Sequence, residues 1–398
     1  MRQLFQVLSG ANNPLESGPA AWDNFNKSMK WSLPIIWVCV VGLLGIGLVM
    51  VGSIGYTWPA VAQGLGRPTQ LVTHHSAAIA VGLVIMFLMA RVDYRMLRPL
   101  APLGAVITLV LLVLVLLPAF GGKVHGTRCL FLPGPLPFRP SVLAGAAVVL
   151  LLASVLARSG SKQWVMVGLM FVTIIGMLVL AEPDFSAAFI IALTALVVLL
   201  LAGQQHAWVL AAYGTGVVVF ACLLLQNPSR LRRFLAFFLD GHSHATSYWL
   251  PVEAIKSGGW LGLGLGQSTT IQYYRPEAAS DFITAVLGEE LGWFALLVMA
   301  LLLVLLVGVG FAVSRCAPDR FGRLLGYGIC TLIAVQALVH FAVVMQLLSI
   351  RGVALPFVSH GGPGLIVLLG LVGVLLNLAR STRVSAAGVA LGPAKPCG

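Results

Sequence analysis

Charged residues are scarce in this 398-residue chain: Lys, Arg, Asp and Glu together make up 9% of it, and 59% is hydrophobic. A soluble domain is excluded, because so few polar groups could not cover its surface. Apolar runs near the roughly 20 residues needed to cross a bilayer recur along the whole length. No alternating strand pattern accompanies them. Since backbone polar groups in lipid must be bonded within their own segment, we expect these runs to be helices.

Three further absences narrow the class of protein. The N-terminal segment lacks the short apolar core and A-x-A ending of a cleavable signal, so we expect the first span to be the membrane anchor. The six cysteines contain no C-x-x-C pair, and His74, His75 and His360 have no companion at metal-ligand spacing, so no metal site is predicted. No soluble basic domain accompanies the net charge of +12, which argues against nucleic acid as a partner.

The apolar runs predict an all-α, polytopic integral membrane protein with about ten transmembrane helices. An even number puts both termini on the same side, and that side holds more than half of the 24 Lys and Arg residues, so the termini are predicted to be cytoplasmic. We expect a cytoplasmic segment at 1–32, a transmembrane domain at 33–380 and a cytoplasmic tail at 381–398. The predicted spans are 33–55, 73–90, 100–119, 141–157, 164–181, 186–203, 208–225, 285–308, 324–347 and 363–379.

One long polar interruption, residues 226–284, separates the seventh and eighth predicted spans on the extracytoplasmic side. A loop of this length in a compact protein is usually functional. Its start, Pro228 to Leu239, is basic on one side and apolar on another at helical spacing, which predicts a helix lying in the membrane interface. Its glycine-rich part around residues 258–266 predicts a re-entrant or surface-lying element that is buried in protein or lines a cavity.

Most of the twelve carboxylates fall on the predicted outer side. Asp281 lies where the polar loop enters the eighth span, so its carboxylate could accept a proton from a substrate hydroxyl. The alternative is that Ser280 or Asp281 caps the helix that follows. Glu289 and Glu290 lie further along the same helix, where they serve either in catalysis or as an internal ion pair or hydrogen bond to an arginine.

Cationic side chains on the same side could bind an anionic lipid phosphate through bidentate hydrogen bonds. The alternative is that a basic amphipathic helix binds phospholipid headgroups. The sequence Glu182 to Asp184 joins two spans and is explained by a tight turn without any function. The cations are Arg230, Arg232, Arg233, Lys256, Arg275 and Arg351.

Several motifs, taken together and in order, resemble the SEDS family of polytopic membrane proteins, the FtsW, RodA and SpoVE group. Single motifs are weak indicators, but their shared order over ten predicted spans is specific. They are G-L-V-M-V-G-S (47–53), R-V-D-Y-R (91–95), F-R-P-S (138–141), E-P-D-F (182–185), R-L-R-R-F-L-A-F-F-L-D (230–240), G-W-L-G-L-G-L-G-Q-S (259–268), P-E-A-A-S-D-F (276–282), G-E-E-L-G (288–292) and L-P-F-V-S-H-G-G (355–362).

The resemblance implies a peptidoglycan glycosyltransferase that polymerises lipid II at the outer face of the bacterial cytoplasmic membrane, for cell division or cell shape. The 4-hydroxyl of a lipid II sugar would attack the anomeric carbon of a polyprenyl-diphosphate-linked glycan, and undecaprenyl diphosphate would leave. Asp281 falls on the catalytic aspartate of the family and would be the general base. The substrate-binding residues would be Arg230, Arg232, Arg233, Lys256, Glu277, Glu290, Arg351 and Ser359.

The resemblance also implies partners: a class B penicillin-binding protein that cross-links the glycan, and the division or elongation machinery. No cofactor is evident from the sequence, and the sequence leaves open whether a divalent cation takes part. Two other functions stay open as well, a lipid II flippase and a catalytically weak scaffold of the division machinery. The sequence departs from the usual family residues at Cys129, Arg139, Val142, Ile271, Ala279 and His360, which puts the details of substrate positioning in question.

Overall fold

The computed structural model describes residues 19–57, 68–117, 120–124, 127–130, 138–158, 162–203, 250–348 and 352–390. Helices dominate these ranges, and a short 3₁₀ turn at Tyr94–Met96 precedes the third of them. The helices are α1 (Pro19–Thr57), α2 (Pro68–Met89), α3 (Leu97–Leu116), α4 (Ser141–Leu156), α5 (Lys162–Ala181), α6 (Phe185–Leu201), α7 (Leu250–Gly258), α8 (Thr270–Ala278), α9 (Ile283–Arg315), α10 (Arg320–Val344) and α11 (Gly362–Ala390).

Within the described ranges, seven helices are long and apolar enough to cross a membrane, namely α1, α2, α3, α5, α9, α10 and α11, and α4 and α6 are shorter apolar helices. Each coincides with one of the predicted spans, whereas the predicted span at 208–225 lies outside the described residues. The all-α polytopic membrane class is therefore confirmed. The total of ten spans and the domain boundaries at residues 32 and 380 stay predictions.

Helix α10 lies at the centre of the bundle, where it contacts α4, α6, α9 and α11. Glycines let several helices approach closely. A Cβ at Gly328 of α10 would lie 2.5 Å from Val149 Cγ1 of α4, and a Cβ at Gly373 of α11 would lie 2.3 Å from the Met86 carbonyl oxygen of α2. Small residues at such contacts are the usual means by which membrane helices pack, because lipid supplies no hydrophobic drive between them.

A group of polar residues, here called the Tyr94 network, joins the helix ends at one end of the bundle. The Tyr94 hydroxyl donates to Asp319, and the Arg95 guanidinium lies 3.7 Å from the same carboxylate. Asn377 of α11 accepts from the Tyr94 N–H at 3.1 Å. Asn377 and Arg380 both donate to the carbonyl that follows α2, at 3.1 and 3.2 Å. The network fastens the α2–α3 connection to α10 and α11.

A two-stranded antiparallel hairpin interrupts the helical pattern between α3 and α4. Strand β1 (Gly121–Val124) pairs with β2 (Thr127–Leu130), with Gly121 opposite Leu130. The hairpin lies in the connection between the third and fourth predicted spans, and its strands were not predicted because four residues are too few to show a clear alternating pattern. Cys129 is buried in this hairpin.

Candidate active site

Residues from six segments line one cavity of about 240 Å³ at the end of α9 opposite to Asp319. The turn before α9 supplies Ser280 and Asp281, and the segment before α11 supplies Ser359 and His360. The remaining wall comes from α4, α6, α10 and α11 and from the residues just before α4 and α6. The cavity therefore joins parts of the chain that are far apart in sequence. Its polar side chains include Arg139, Asp184, Asp281, Gln336, Ser359 and His360.

Asp281 is partly exposed to this cavity and does not cap a helix. Helix α9 begins at Ile283, its N-cap is Phe282, and no side chain makes a capping hydrogen bond there. The capping alternative for Ser280 and Asp281 is therefore wrong. Burial raises the pKa of Asp281 to about 6, and the negative charge of Glu277 adds to the increase, against hydrogen bonds from Ser280 and Gly352. A carboxylate with this pKa is ionised at neutral pH yet basic enough to accept a proton.

The turn that carries Asp281 is held in place by the segment before α11. The Ser359 hydroxyl donates to the Ser280 carbonyl oxygen at 2.5 Å, and the His360 N–H donates to the Ala279 carbonyl oxygen at 2.8 Å. Ser359 also accepts from the Leu355 N–H at 2.8 Å, so its hydroxyl is fixed on both sides. This places the predicted substrate-binding residue Ser359 in the Asp281 cavity, where it orients the turn.

Helix α1 supports the same segment from behind. A Cβ at Gly47 would lie 2.7 Å from the Val358 carbonyl oxygen, so only glycine permits this contact without a shift. Further along α1, the Ser53 hydroxyl donates to Glu290 Oε2 at 2.6 Å. The G-L-V-M-V-G-S motif therefore acts as a support for the cavity wall and for α9.

Asp184 lies in the cavity wall and binds Arg139. The Arg139 guanidinium donates to Asp184 Oδ2 at 2.7 Å, and the Ser141 hydroxyl donates to the same oxygen at 2.8 Å. The other oxygen accepts from the Ser186 hydroxyl at 2.8 Å and caps α6 through the Ala187 N–H at 3.2 Å. The interpretation of Glu182 to Asp184 as a turn without a function is incomplete, because Asp184 also lines the cavity that contains Asp281.

Glu182 is buried beside this ion pair, with 1% of its surface exposed. Burial raises its pKa to about 8, and the charge of Asp184 adds to the increase. Glu182 is therefore mostly protonated at neutral pH. Asp184, rather than Glu182, is the carboxylate that balances Arg139.

Glu289 and Glu290 are buried acceptors, and none of their hydrogen bonds to described residues comes from an arginine. Glu289 accepts from the Ser268 hydroxyl at 2.5 Å, from the Thr269 N–H at 3.0 Å and from the Thr270 N–H at 3.2 Å. Glu290 accepts from Ser53 and from the Gly266 N–H at 3.1 Å. Neither carboxylate lines the Asp281 cavity. In the described part of the chain, hydroxyl and backbone donors take the place of the arginine that one of the two alternatives gave these carboxylates, while substrate binding by Glu290 stays a prediction.

The glycine-rich segment that supplies these donors lies on the surface of α9. The Leu263 N–H donates to the Glu289 carbonyl at 3.0 Å, and the Trp293 N–H donates to the Gly259 carbonyl at 2.9 Å. The contact requires Gly292, whose φ of +76° breaks the helix and where a Cβ would lie 2.5 Å from the Trp260 carbonyl oxygen. The segment is thus a surface-lying element, one of the forms the sequence predicted, and none of its residues lines the Asp281 cavity.

The other predicted site residues are placed as follows. Glu277, at the end of α8, is close enough to Asp281 to raise its pKa, and its carbonyl oxygen accepts from the Asp281 N–H at 2.8 Å. Lys256 is exposed on α7, outside the cavity wall. Arg230, Arg232, Arg233 and Arg351 lie outside the described residues, as does the predicted interfacial helix at 228–239. Their roles stay predictions.

Sequence reasoning missed Arg139, Asp184 and Gln336 as cavity residues. Both motifs that contain the charged residues, F-R-P-S and E-P-D-F, were recognised in the sequence. The single sign that Arg139 and Asp184 lie together was that they carry opposite charges on the same predicted side of the membrane. Among the described residues, no group of three or more His, Cys, Asp and Glu could hold a metal ion.

The two histidines near the cavity pack against each other. The rings of His75 and His360 have centroids 5.6 Å apart, and neither nitrogen of the buried His75 ring has a hydrogen-bond partner in the described part of the chain. This contact joins α2 to the segment before α11.

Comparisons with known proteins show which proteins share this sequence and fold. The chain is 32% identical over 360 residues to a Trichlorobacter lovleyi protein named probable peptidoglycan glycosyltransferase FtsW, covering 88% of this chain and 94% of the relative. The crystal structure of the Thermus thermophilus rod shape determining protein RodA superposes with a TM-score of 0.64 at 25% identity, covering 88% and 96% of the two chains.

A second solved structure has the same fold. It comes from a study of how a peptidoglycan synthase complex coordinates polymerization and crosslinking, and it matches with a TM-score of 0.70 at 24% identity over 87% of this chain and 97% of that chain. The sequence profile of the FtsW/RodA/SpoVE cell cycle proteins matches residues 34–384, which is most of the chain. This chain therefore belongs to the FtsW/RodA/SpoVE family.

Proposed function

We propose that this protein is a peptidoglycan glycosyltransferase that polymerises lipid II into glycan strands, with Asp281 as the general base. The observation that carries the proposal is the position of Asp281: its carboxylate faces a cavity, caps no helix, and has a pKa raised by burial to about 6. The same activity is supported by relatives named probable peptidoglycan glycosyltransferase, which this chain matches over most of their length.

In the proposed reaction, Asp281 accepts the proton of the 4-hydroxyl of a lipid II sugar. The oxygen forms a bond to the anomeric carbon of the donor glycan, and the bond from that carbon to the diphosphate breaks. The electron pair leaves with undecaprenyl diphosphate. A general base contributes roughly 10²- to 10⁴-fold to such a step. Because attack and departure occur on opposite sides of the carbon, the configuration is inverted.

The departing diphosphate gains negative charge in the transition state, so cations near it lower the barrier. The basic residues predicted for this role are Arg230, Arg232, Arg233 and Arg351, together with Lys256 at the surface of α7. A divalent cation bound by the diphosphate itself would act in the same way, and comparing rates in Mg²⁺ and in EDTA tests that part of the proposal.

The proposed setting is the bacterial cytoplasmic membrane, with both termini in the cytoplasm and the Asp281 cavity on the outer side. The apolar helices and the family establish a multi-pass membrane protein. The similar fold of a protein from a peptidoglycan synthase complex supports a penicillin-binding transpeptidase as partner. The division or elongation machinery would then recruit the pair.

The direct test supplies lipid II in detergent to the purified protein with its penicillin-binding partner. We expect glycan strands from the unmodified protein and at least a 100-fold slower reaction with Asp281→Asn, because the amide cannot accept the proton. Equal rates would disprove the assignment of the base. If no strands form but fluorescent lipid II crosses liposomes containing the protein, the flippase alternative replaces the polymerase.

A further inference from the structure

We propose that Arg139 forms a diphosphate-binding subsite in the Asp281 cavity, where it holds the diphosphate of the polyprenyl-linked donor glycan. The inference rests on the proposed glycosyltransferase function and names the part of the described site that recognises its leaving group. Sequence reasoning assigned this role to other arginines, and Arg139 carried no prediction of binding.

Only part of the hydrogen-bonding capacity of the Arg139 guanidinium is taken up by described residues. One nitrogen, Nη2, donates to Asp184 at 2.7 Å. The Nε–H is buried and has no hydrogen-bond partner among the described residues. A buried donor without a partner is costly, and a small shift of the side chain toward a ligand oxygen in the cavity would satisfy it. About one third of the side chain is exposed, so a ligand in the cavity can reach it.

Asp184 fixes the orientation of this guanidinium. Its carboxylate is itself held by Ser141, Ser186 and the Ala187 N–H, and these three donors belong to the first turns of α4 and α6. The bond between Asp184 and Nη2 therefore restricts rotation of the arginine. An arginine with its planar fork held in advance loses less entropy when it binds phosphate oxygens.

Helix N-termini add positive potential to the same cavity. The first turns of α4, α6 and α11 all contribute lining residues, among them Val142, Ala187 and Gly364. A helix N-terminus carries roughly half a positive charge, which favours an anion nearby, and at α6 the Asp184 carboxylate already supplies one through its cap on the Ala187 N–H. The α4 terminus has no side-chain cap, and its Val142 and Leu143 N–H groups donate to the Arg139 and Pro140 carbonyl oxygens instead.

The guanidinium fork and its place beside the proposed base, rather than the net charge of the cavity, point to a diphosphate. Among the described lining residues Arg139 is the one cationic side chain, and it shares the cavity with the proposed base. A leaving diphosphate must lie within reach of a cation while the base contacts the attacking hydroxyl. Arg139 and Asp281 come from different segments, before α4 and before α9, and lie close enough for the charge of Arg139 to act on Asp281.

The test measures binding of sugar-free polyprenyl diphosphate to the full-length protein in nanodiscs of neutral lipid. This ligand cannot be polymerised, so the measurement does not depend on the proposed activity. We expect the diphosphate to bind at least roughly ten-fold more tightly than the polyprenol of the same length, and Arg139→Gln to remove that preference. Arg139→Lys should keep part of it, because it retains the charge but not the fork.

The double variant Arg139→Gln, Asp184→Asn separates binding from folding. It removes both charges of the pair, so no unpaired buried charge is left. We expect it to unfold at a temperature close to the unmodified protein and still to lose the preference for diphosphate. The matched control is Arg128→Gln, because Arg128 lies in strand β2 of the neighbouring hairpin and outside the cavity wall. It should bind like the unmodified protein.

Two results would overturn the subsite. One is a folded double variant that still prefers the diphosphate as strongly as the unmodified protein. The other is equal competition by phosphatidylglycerol, which would make the site one for phospholipid headgroups. If the diphosphate binds as expected but lipid II is not polymerised, the subsite stands and the proposed enzymatic function fails.

Discussion

The two ends of helix α9 use carboxylates in opposite ways. At the α9 end that holds the Tyr94 network, the Asp319 side chain is about one third exposed and faces an arginine. It accepts hydrogen bonds from the Tyr94 hydroxyl and from an N–H in the first turn of α10. At the other end, Asp281 faces a cavity, and its pKa is raised by burial and by a second carboxylate. A carboxylate that fastens helices has its charge satisfied, whereas one poised for chemistry keeps a costly charge available.

The largest test of this contrast compares the same substitution at the two ends. Asp281→Asn should slow lipid II polymerisation by at least roughly 100-fold, whereas Asp319→Asn should change the rate by no more than about two-fold. Strand formation from lipid II measures both. A comparable loss in both variants would mean that the two ends do not differ in function.

A second test concerns a carboxylate that lies on the cavity side of the bundle but fastens rather than reacts. Glu289→Ala should lower the free energy of unfolding by roughly 3 kcal/mol, because it leaves the Ser268 hydroxyl and the Thr269 and Thr270 N–H groups without their acceptor. Thermal unfolding in detergent measures the change. Glu289→Gln is the control, since it retains an acceptor oxygen and should lose less.

The Tyr94 network should respond more weakly. Tyr94→Phe removes the hydroxyl that donates to Asp319, but this carboxylate is exposed enough to bind water instead. We expect a loss of about 1 kcal/mol in unfolding free energy and an unchanged polymerisation rate per folded molecule. A strong loss of activity without a loss of stability would show that the network communicates with the cavity.

The smallest effect concerns pH. Since the pKa of Asp281 is about 6, the polymerisation rate should rise as pH increases toward 6 and level off above it. Arg139→Gln should move this rise in rate, the acid limb of the profile, to slightly higher pH. The reason is that the positive charge of Arg139 favours the ionised form of Asp281. A rate profile between pH 4.5 and 8, recorded for the unmodified protein and for the variant, measures the acid limb of each. Arg128→Gln should leave the limb in place.

The same raised pKa makes the stability of the folded protein fall with increasing pH, whereas the polymerisation rate rises. The folded value of about 6 exceeds the reference value of 3.8, so the folded state holds its proton where the unfolded state has lost it. Stability from this group is present at low pH and is lost as pH rises through 6. Asp281→Asn should not show this loss, which a pH series of unfolding temperatures would reveal.

The membrane class was predictable because it depends on composition and on apolar runs, which need no tertiary information. Asp281 was singled out by its place at a helix entrance and by the family motif. Its partners were not predictable, because Ser359, Asp184 and Arg139 are brought to it by helix packing across long sequence separations. The hydroxyl and backbone partners of Glu289 and Glu290 were missed for the same reason.

The two hydrogen bonds that hold the turn of Asp281 come from Ser359 and His360, about 80 residues later in the chain. During synthesis the ribosome delivers this turn to the membrane well before it delivers its supports. The proposed base therefore gains its final orientation only when α11 begins to insert. Until then a nascent chain is a bundle of helices without a completed site, so incomplete translation products should be unable to consume lipid II.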